Sequence, residues 1–186
     1  VTRSEQAAAN TTGNWYYICL VYKTDAEGNT TLLTTKPVSA LLMGEGLDFT
    51  GKGTETDPFI IDSYDKYQNL ARTVNNGSGF SDIWFKLTCD LNLTKDSLKL
   101  GNVNSFQGNF DGDNNLVTIE KGGNAMFGII ENGLVRNVRV QSEYLSGSAL
   151  ADGVKIGTVQ SCQVVGNTKT GSAALAGYGR EGAKFI

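Results

Sequence analysis

The feature of this sequence that most constrains its fold is an internal repeat in the last third of the chain. Residues 125–140 align with residues 149–165, which places Gly133 over Gly157 and Val138 over Cys162, 24 positions apart. A third copy begins at Ala174 and places Gly182 over Gly157 at an offset of 25. Repeats of this length indicate solenoids or propellers, and a β-rich unit with glycine at its corners fits one turn of a parallel β-helix.

In such a coil, each short strand points alternate side chains into the lumen. The apolar positions of the two aligned copies are therefore expected in the lumen or at its corners: Val135, Val138, Val140, Val159, Cys162 and Val164. On this register Cys162 lies in the lumen against Val138.

Composition excludes several classes of function. The chain has 23 Gly, 2 Pro and no His, which favours turns between short strands and removes Ser-His and Cys-His catalysis and most catalytic zinc sites. We expect no cofactor. The three cysteines, Cys19, Cys89 and Cys162, are interpreted as buried small hydrophobes, with one disulfide as the alternative.

The charge pattern limits the partners. The net charge is -3 and the basic residues are scattered singly, so a nucleic-acid partner is not expected. No apolar run approaches the length that spans a bilayer, so we expect no membrane insertion of this segment, and the first residues lack the apolar stretch of a signal peptide.

The chain divides into four predicted regions. Residues 1–13 are a small, polar and mobile lead-in, and residues 14–43 are a β-hairpin or part of a neighbouring β-module. Its strands are Trp15 to Tyr22 and Thr30 to Thr35, and Asp25 to Asn29 supply the turn. The glycine-rich residues 44–53 are a linker, and residues 54–186 form the parallel β-helix.

One helix is predicted, at about residues 64–76. Ser63 is a natural N-cap, Gly77 fits the position after the C-cap, and the apolar residues Tyr67, Leu70, Ala71 and Val74 share one face. Strands are predicted on either side, at Asp57 to Asp62 and Phe80 to Thr88. Because an open solenoid end exposes unpaired strand edges, this helix is expected to cap the N-terminal end of the coil.

These segments together resemble the GLUG-repeat surface proteins of bacteria. The resemblance covers residues 53–186, and the matching positions are Gly53, Thr54, Asp57, Pro58, Phe59, Ile61, Phe85, Leu87, Asp90, Leu91, Asn92, Leu93, Phe106, Gly108, Phe110, Asp111, Gly112, Ile119, Gly157, Val159, Ser161 and Cys162. The chain departs from the family at the name-giving Gly-Leu-x-Gly element, which reads Leu150-Ala151-Asp152 in one copy. The resemblance implies a right-handed parallel β-helix in a secreted or surface-attached, adhesin-like protein, and it carries no known active site onto these positions.

Acidic residues are the candidates for chemistry. The run from Asp111 to Asn115 begins like a calcium loop, but Leu116 stands where an EF-hand needs glycine, so a tight Asx turn is the preferred interpretation. Glycoside hydrolysis would need paired carboxylates, for which the candidates are Asp90, Asp111, Asp113 and Glu120. No positional motif joins them, and solvated turn carboxylates are the simpler interpretation.

Aromatic rings suggest a binding surface. Six rings could present a face to a sugar: Tyr64, Tyr67, Phe80, Trp84, Tyr144 and Tyr178. Of these, Tyr67 and Trp84 are expected in the core instead, and Tyr144 and Tyr178, flanked by Gly and Ser, are the predicted ligand-binding residues. The favoured function is a non-enzymatic extracellular or cell-surface module, an adhesin or structural segment, with a glycan or a host or bacterial surface protein as partner. The alternatives are a polysaccharide-degrading β-helix enzyme and a subunit of a pilus-like surface assembly.

Overall fold

The computed structural model of the protein describes residues 13–17, 20–25, 27–34, 38–42, 48–145, 147–168 and 175–186. The chain forms two compact units, Val1–Glu45 and Gly46–Ile186. The predicted lead-in up to residue 12, most of the first half of the predicted linker and Cys19 lie outside the described residues.

The first unit contains two antiparallel strand pairs. Strands β1 (Gly13–Tyr17) and β4 (Val38–Leu42) pair with each other, and β2 (Leu20–Thr24) pairs with β3 (Thr30–Thr34). The hairpin turn is closed by Asp25, whose carboxylate accepts a hydrogen bond of 2.7 Å from the Asn29 amide. The hairpin prediction is therefore confirmed at β2 and β3, but the single strand predicted from Trp15 to Tyr22 is divided between two different pairings.

The second unit is a parallel β-solenoid of about 5 turns with a single helix among its described residues. In chain order its elements are β5 (Phe59–Ile61), α1 (Tyr64–Asn75), β6 (Trp84–Leu87), β7 (Leu91–Leu93), β8 (Asn109–Asp111), β9 (Leu116–Ile119), β10 (Phe127–Glu131), β11 (Leu134–Arg136), β12 (Arg139–Leu145), β13 (Ala151–Lys155), β14 (Thr158–Gln160), β15 (Gln163–Thr168), β16 (Gly179–Arg180) and β17 (Lys184–Phe185). The fold class predicted from the sequence repeat is confirmed.

Successive turns stack three parallel sheets. The six-stranded sheet has the order β17-β14-β11-β8-β6-β5, the four-stranded sheet β15-β12-β9-β7, and the three-stranded sheet β10-β13-β16. Each turn contributes at most one short strand to each sheet, so side chains at equivalent positions form columns along the coil.

The repeat sets the register of the central turns. Phe127 pairs with Ala151, Leu134 with Thr158 and Arg139 with Gln163, each 24 residues apart as the alignment predicts. In the last turn the predicted offset of 25 is confirmed at β16, where Val154 pairs with Gly179. It is wrong at β17, because Thr158 pairs with Lys184 and Gly157 therefore lies opposite Ala183 rather than Gly182. The extra residue is taken up in the turn at Glu181 and Gly182, both of which have positive φ.

The lumen changes in composition along the coil. In the early turns it is filled by phenylalanine rings, with Phe85 and Phe106 centred 6.1 Å apart and Phe106 and Phe127 5.8 Å apart. In the later turns of the six-stranded sheet, Val135 and Val159 follow Phe110 in its column. Val140 continues an aliphatic column of the four-stranded sheet, and all three valines are buried as predicted. Cys162 lies over Val138 on this register but at a corner, where it is half-buried rather than enclosed.

Helix α1 lies between the first two strands of the six-stranded sheet. Its N-cap is Ser63, whose hydroxyl accepts a hydrogen bond from the Lys66 amide, and its predicted apolar face is fully buried: Tyr67, Leu70, Ala71 and Val74. The Tyr67 hydroxyl donates to the Met126 carbonyl at 2.6 Å, just before β10. The helix thus takes the place of the other strands of the first turn and covers the N-terminal end of the coil.

The strand predicted at Phe80 to Thr88 is shorter than expected. Phe80 and Asp82 have φ values of 58 and 63°, which is left-handed turn geometry, and the strand begins only at Trp84. The Phe80 ring turns inward and meets Phe85 edge-on at 5.3 Å, so Phe80 is buried although its backbone lies outside the strand.

Candidate functional site

The outer face of the six-stranded sheet is the most extended regular surface of the solenoid. One column of outward residues runs Trp84, Asn109, Leu134, Thr158 and Lys184, and a parallel column runs Ile60, Lys86, Asp111, Arg136 and Gln160. Apart from the exposed Lys184 these side chains are half-buried, because adjacent members of a column flank one another. Strands β6, β8, β11 and β14 each add one residue to each column.

Arg136 is the centre of the polar contacts on this face. Its Nε donates to Asp111 at 2.7 Å and its guanidinium forms an ion pair with Glu55 at 3.1 Å. The guanidinium carbon also lies 4.6 Å from the centre of the Trp84 ring, a cation–π distance. Glu55 precedes β5, so the Arg136 side chain joins β11 to the segment before the first strand of this sheet.

The Asp111 carboxylate is held from three sides. Besides Arg136, it accepts hydrogen bonds from the Asn137 side chain at 3.0 Å and from the Asp113 amide at 2.9 Å. Burial raises the pKa of Asp111, but these three hydrogen bonds outweigh it, so the pKa lies below its ordinary value. The hydrogen bond to Asp111 in turn raises the pKa of Arg136. Asp111 is therefore a permanent carboxylate near neutral pH.

The other candidate carboxylates also hold the coil together. Asp113 pairs with Lys86 of the turn below at 3.0 Å. Asp90 accepts a hydrogen bond from the Leu116 amide at 2.7 Å, and Glu120 accepts one from the Lys95 amide at 2.6 Å. Each of these three contacts joins residues of different turns, so these acidic side chains link neighbouring turns of the coil.

The segment from Asp111 to Asn115 is the predicted tight turn. Asp113 and Asn114 have φ values of 49 and 60°, and the Asp111 carboxylate caps the Asp113 amide in an Asx arrangement. Among the described residues, no group of three or more His, Cys, Asp or Glu side chains is placed to hold a metal ion.

The two predicted ligand-binding tyrosines are not brought to the face of the six-stranded sheet. Tyr178 precedes β16 of the three-stranded sheet, is 37% exposed, and lies so close to Gly153 that a Cβ there would come within 2.2 Å of the ring. The Arg180 guanidinium lies 5.0 Å from the ring centre. The backbone of Tyr144 is part of β12, but its side chain lies outside what the structure describes.

The predictions for the remaining aromatic residues divide. Tyr67 is in the core as expected, and Phe80 is buried, so it offers no face to a ligand. The core placement of Trp84 was wrong: strand β6 alternates, Phe85 points inward, and Trp84 is left on the outer face beneath Arg136. Tyr64 is partly exposed and its hydroxyl is 2.9 Å from that of Ser97.

A polar cleft near the end of helix α1 escaped the sequence analysis. It has a volume of about 300 Å³ and is lined by glycines 77 and 79, residues 103–105, Gln107 and Glu131. These positions come from three separate segments that only the coiling of the chain brings together. A short run of Asn, Ser and Gln in a loop was the one available signal, and it is too common to identify a site.

No helix in the described part of the chain has the length and apolar character that crossing a membrane requires.

Comparisons with protein-family models, with curated proteins and with solved structures gave no match. Membership of the GLUG-repeat surface proteins therefore stays a prediction that depends on the residues quoted from the sequence. Function is inferred from the geometry of the described residues.

Proposed function

We propose that this chain is a non-enzymatic module of a secreted or cell-surface protein, an adhesin or structural segment, and that it binds a glycan. The resemblance to the GLUG-repeat surface proteins supports the extracellular setting. The solenoid supports binding, because repetition of one strand position per turn creates a long regular surface that can make many weak contacts.

The observation that carries the non-enzymatic proposal is the state of Asp111. A glycosidase needs one carboxylic acid with a raised pKa to protonate the leaving group and a second carboxylate within about 5–9.5 Å of it. Asp111 has a lowered pKa and both of its oxygens accept hydrogen bonds from Arg136, Asn137 and Asp113. These contacts favour a role in holding neighbouring turns together.

The neighbouring carboxylates support the same proposal. Asp113 is paired with Lys86, and Asp90 and Glu120 accept backbone amides of other turns. A residue that moves a proton in catalysis must be free to change its charge. The four acidic candidates instead have contacts that hold the side chain in place.

Incubation with a panel of soluble plant and host polysaccharides tests this function. Retention of the protein in affinity gel electrophoresis is measured together with the appearance of reducing ends or unsaturated products. We expect retention on at least one polysaccharide with no products. Formation of products that Asp111→Asn or Asp113→Asn abolishes, with folding of the variants checked by thermal denaturation, would show that the protein is a polysaccharide-degrading enzyme.

Absence of retention on every polysaccharide would count against a glycan as the partner. Binding to an isolated host or bacterial surface protein under the same conditions would then assign the module to protein recognition instead.

A further inference from the structure

The cleft at the end of helix α1 has the size of a small ligand site. Its volume of about 300 Å³ is at the lower end of the range for small-molecule pockets, about 300–1,000 Å³. The turn after the helix is part of its lining, and there Gly77 has a φ of 116° and a Cβ would meet no atom within 4 Å. The space above that turn is therefore open.

Hydrogen bonds from three segments hold the walls of the cleft in place. The Gln107 backbone N–H donates to the Gly79 carbonyl at 2.8 Å, and the Ser81 hydroxyl donates to the Gln107 side-chain oxygen at 2.8 Å. On the other side, the Asn104 side chain donates to the Asn75 carbonyl at 2.8 Å. A ligand entering the cleft would therefore meet side chains that are already ordered, which lowers the entropic cost of binding.

Glu131 is fixed by its strand rather than by side-chain contacts. Its amide donates to the Phe106 carbonyl at 2.9 Å, and its backbone lies in register with Lys155 of the next turn. Within the part of the chain that the structure describes, its carboxylate makes no hydrogen bond or ion pair. This distinguishes it from Asp111, Asp113 and Glu120.

Other groups of the lining also keep hydrogen-bonding capacity. The oxygen of the Asn104 amide, the Ser105 hydroxyl and the nitrogen of the Gln107 amide have no bond to another described residue, although each side chain belongs to the cleft. Both donors and acceptors are thus available, as recognition of hydroxyl groups requires. Val103 adds an apolar surface at the rim and is 74% exposed.

The charge of the cleft restricts the ligand. Glu131 is the one charged residue among those that line it, so an acidic sugar would meet a like charge in a confined space. A neutral sugar presents hydroxyls that donate to the carboxylate, and hydrogen bonds to a charged acceptor are stronger than those between neutral groups.

We propose that this cleft binds one neutral sugar residue of a glycan chain, with Glu131 accepting hydrogen bonds from its hydroxyls and Ser105 and Gln107 orienting it. The inference rests on the proposed glycan-binding function and adds the place and the sugar class. An extended glycan could then continue away from the cleft along the surface of the coil.

Affinity electrophoresis with galactomannan and arabinoxylan as neutral probes, polygalacturonate as an acidic probe and chitosan as a cationic probe tests the inference. For a neutral probe that retains the protein, we expect Glu131→Ala to weaken binding at least about tenfold and Glu131→Gln to weaken it less, since the amide keeps an oxygen acceptor. Asp96→Ala, which removes an exposed turn carboxylate outside the cleft, is the matched control and should bind as the unchanged chain does.

Gly79→Ala supplies a second, independent variant. A Cβ at Gly79 would come within 2.8 Å of the Gln107 side-chain oxygen, so the substitution displaces Gln107 and leaves Glu131 in place. We expect it to weaken binding to the same neutral probe several-fold with little change in thermal stability.

Three results would overturn the inference. Retention on a neutral probe that neither Glu131→Ala nor Gly79→Ala weakens would place the binding surface elsewhere and leave the proposed function standing. Retention on polygalacturonate or on chitosan alone would contradict the neutral sugar class. Absence of retention on all four probes, with none on the wider polysaccharide panel, would remove the proposed glycan-binding function and this inference with it.

Discussion

The hydroxyl of Tyr67 is the contact through which the capping helix can be tested most cleanly. The side chain is fully buried, and its hydroxyl donates to the Met126 carbonyl at 2.6 Å and lies 3.3 Å from the Leu98 carbonyl. Burial raises the pKa of Tyr67 far above its ordinary value, so the group stays a neutral donor over the whole accessible pH range. Tyr67→Phe removes this donor and changes nothing in the volume of the ring.

The expected cost follows from what the variant leaves behind. The Met126 carbonyl keeps a second hydrogen bond, from the Leu100 amide at 3.0 Å. The Leu98 carbonyl, which loses its longer contact with the Tyr67 hydroxyl, belongs to a residue that is 37% exposed. The loss is therefore that of one buried hydrogen bond, about 1–2 kcal/mol. For a chain of this length, that corresponds to a fall in melting temperature of about 2–8 °C. Tyr67→Ala, which also opens a cavity, should cost about 3–5 kcal/mol.

Urea unfolding followed by circular dichroism, with a thermal scan beside it, measures these differences. Tyr64→Phe is the matched control, because Tyr64 lies on the same helix, is 37% exposed, and bonds to the Ser97 hydroxyl, which keeps its hydrogen bond from the Thr94 amide. It should change stability by less than about 0.5 kcal/mol. A Tyr67→Phe variant as stable as the unchanged chain, or less affected than Tyr64→Phe, would refute the anchoring of the helix to the coil.

Three further predictions concern the coil itself. Because its folded pKa is lowered, Asp111 stabilises the fold above the unfolded pKa of about 3.9, and this stabilisation is lost as the pH falls through the folded value. In urea unfolding, Asp111→Asn should therefore be less stable than the unchanged chain at pH 7, and the difference should be smaller at pH 2–3. A difference that does not depend on pH would contradict the ion pair. Burial raises the pKa of Cys162, so a thiol reagent should label it at least about tenfold more slowly in the native state than in urea, and equal rates would show the corner placement to be wrong. Gly133→Ala should cost about 1–3 kcal/mol in urea unfolding, since its Cβ would lie 2.2 Å from a carbonyl oxygen of the turn below. Gly147→Ala, with open space around it, should be neutral or slightly stabilising. Equal changes in the free energy of unfolding for the two variants would contradict the stacking register.

The fold could be predicted from the sequence because its periodicity is visible in the sequence itself. In a parallel coil, equivalent residues of successive turns contact each other, so the spacing between Val138 and Cys162 is also the length of one turn. The helix could also be predicted, since the N-cap Ser63 and the apolar face containing Tyr67 are local features of the sequence. The predicted offset of 25 holds at β16, but β17 is displaced by one further residue, because a left-handed turn at Glu181 and Gly182 absorbs an insertion without changing the repeat pattern.

The candidate sites were harder to predict because they join residues far apart in the chain. Glu55 and Arg136 are separated by 81 positions, and no periodicity relates them. Trp84 was assigned to the core because large aromatic residues usually are buried, whereas the strand alternation places Phe85 there instead. The cleft beside Glu131 depends on a turn, a loop and a strand end, none of which has a distinctive sequence.

A crystal structure of the protein with a bound neutral oligosaccharide, taken from a polysaccharide that retains it, tests the central claim most directly. We predict an intact oligosaccharide with one sugar residue in the cleft, its hydroxyls within hydrogen-bonding distance of the Glu131 carboxylate, and Asp111 still bonded to Arg136. A cleaved oligosaccharide with its new end beside Asp111 or Asp113, or an intact one bound away from the cleft, would contradict it.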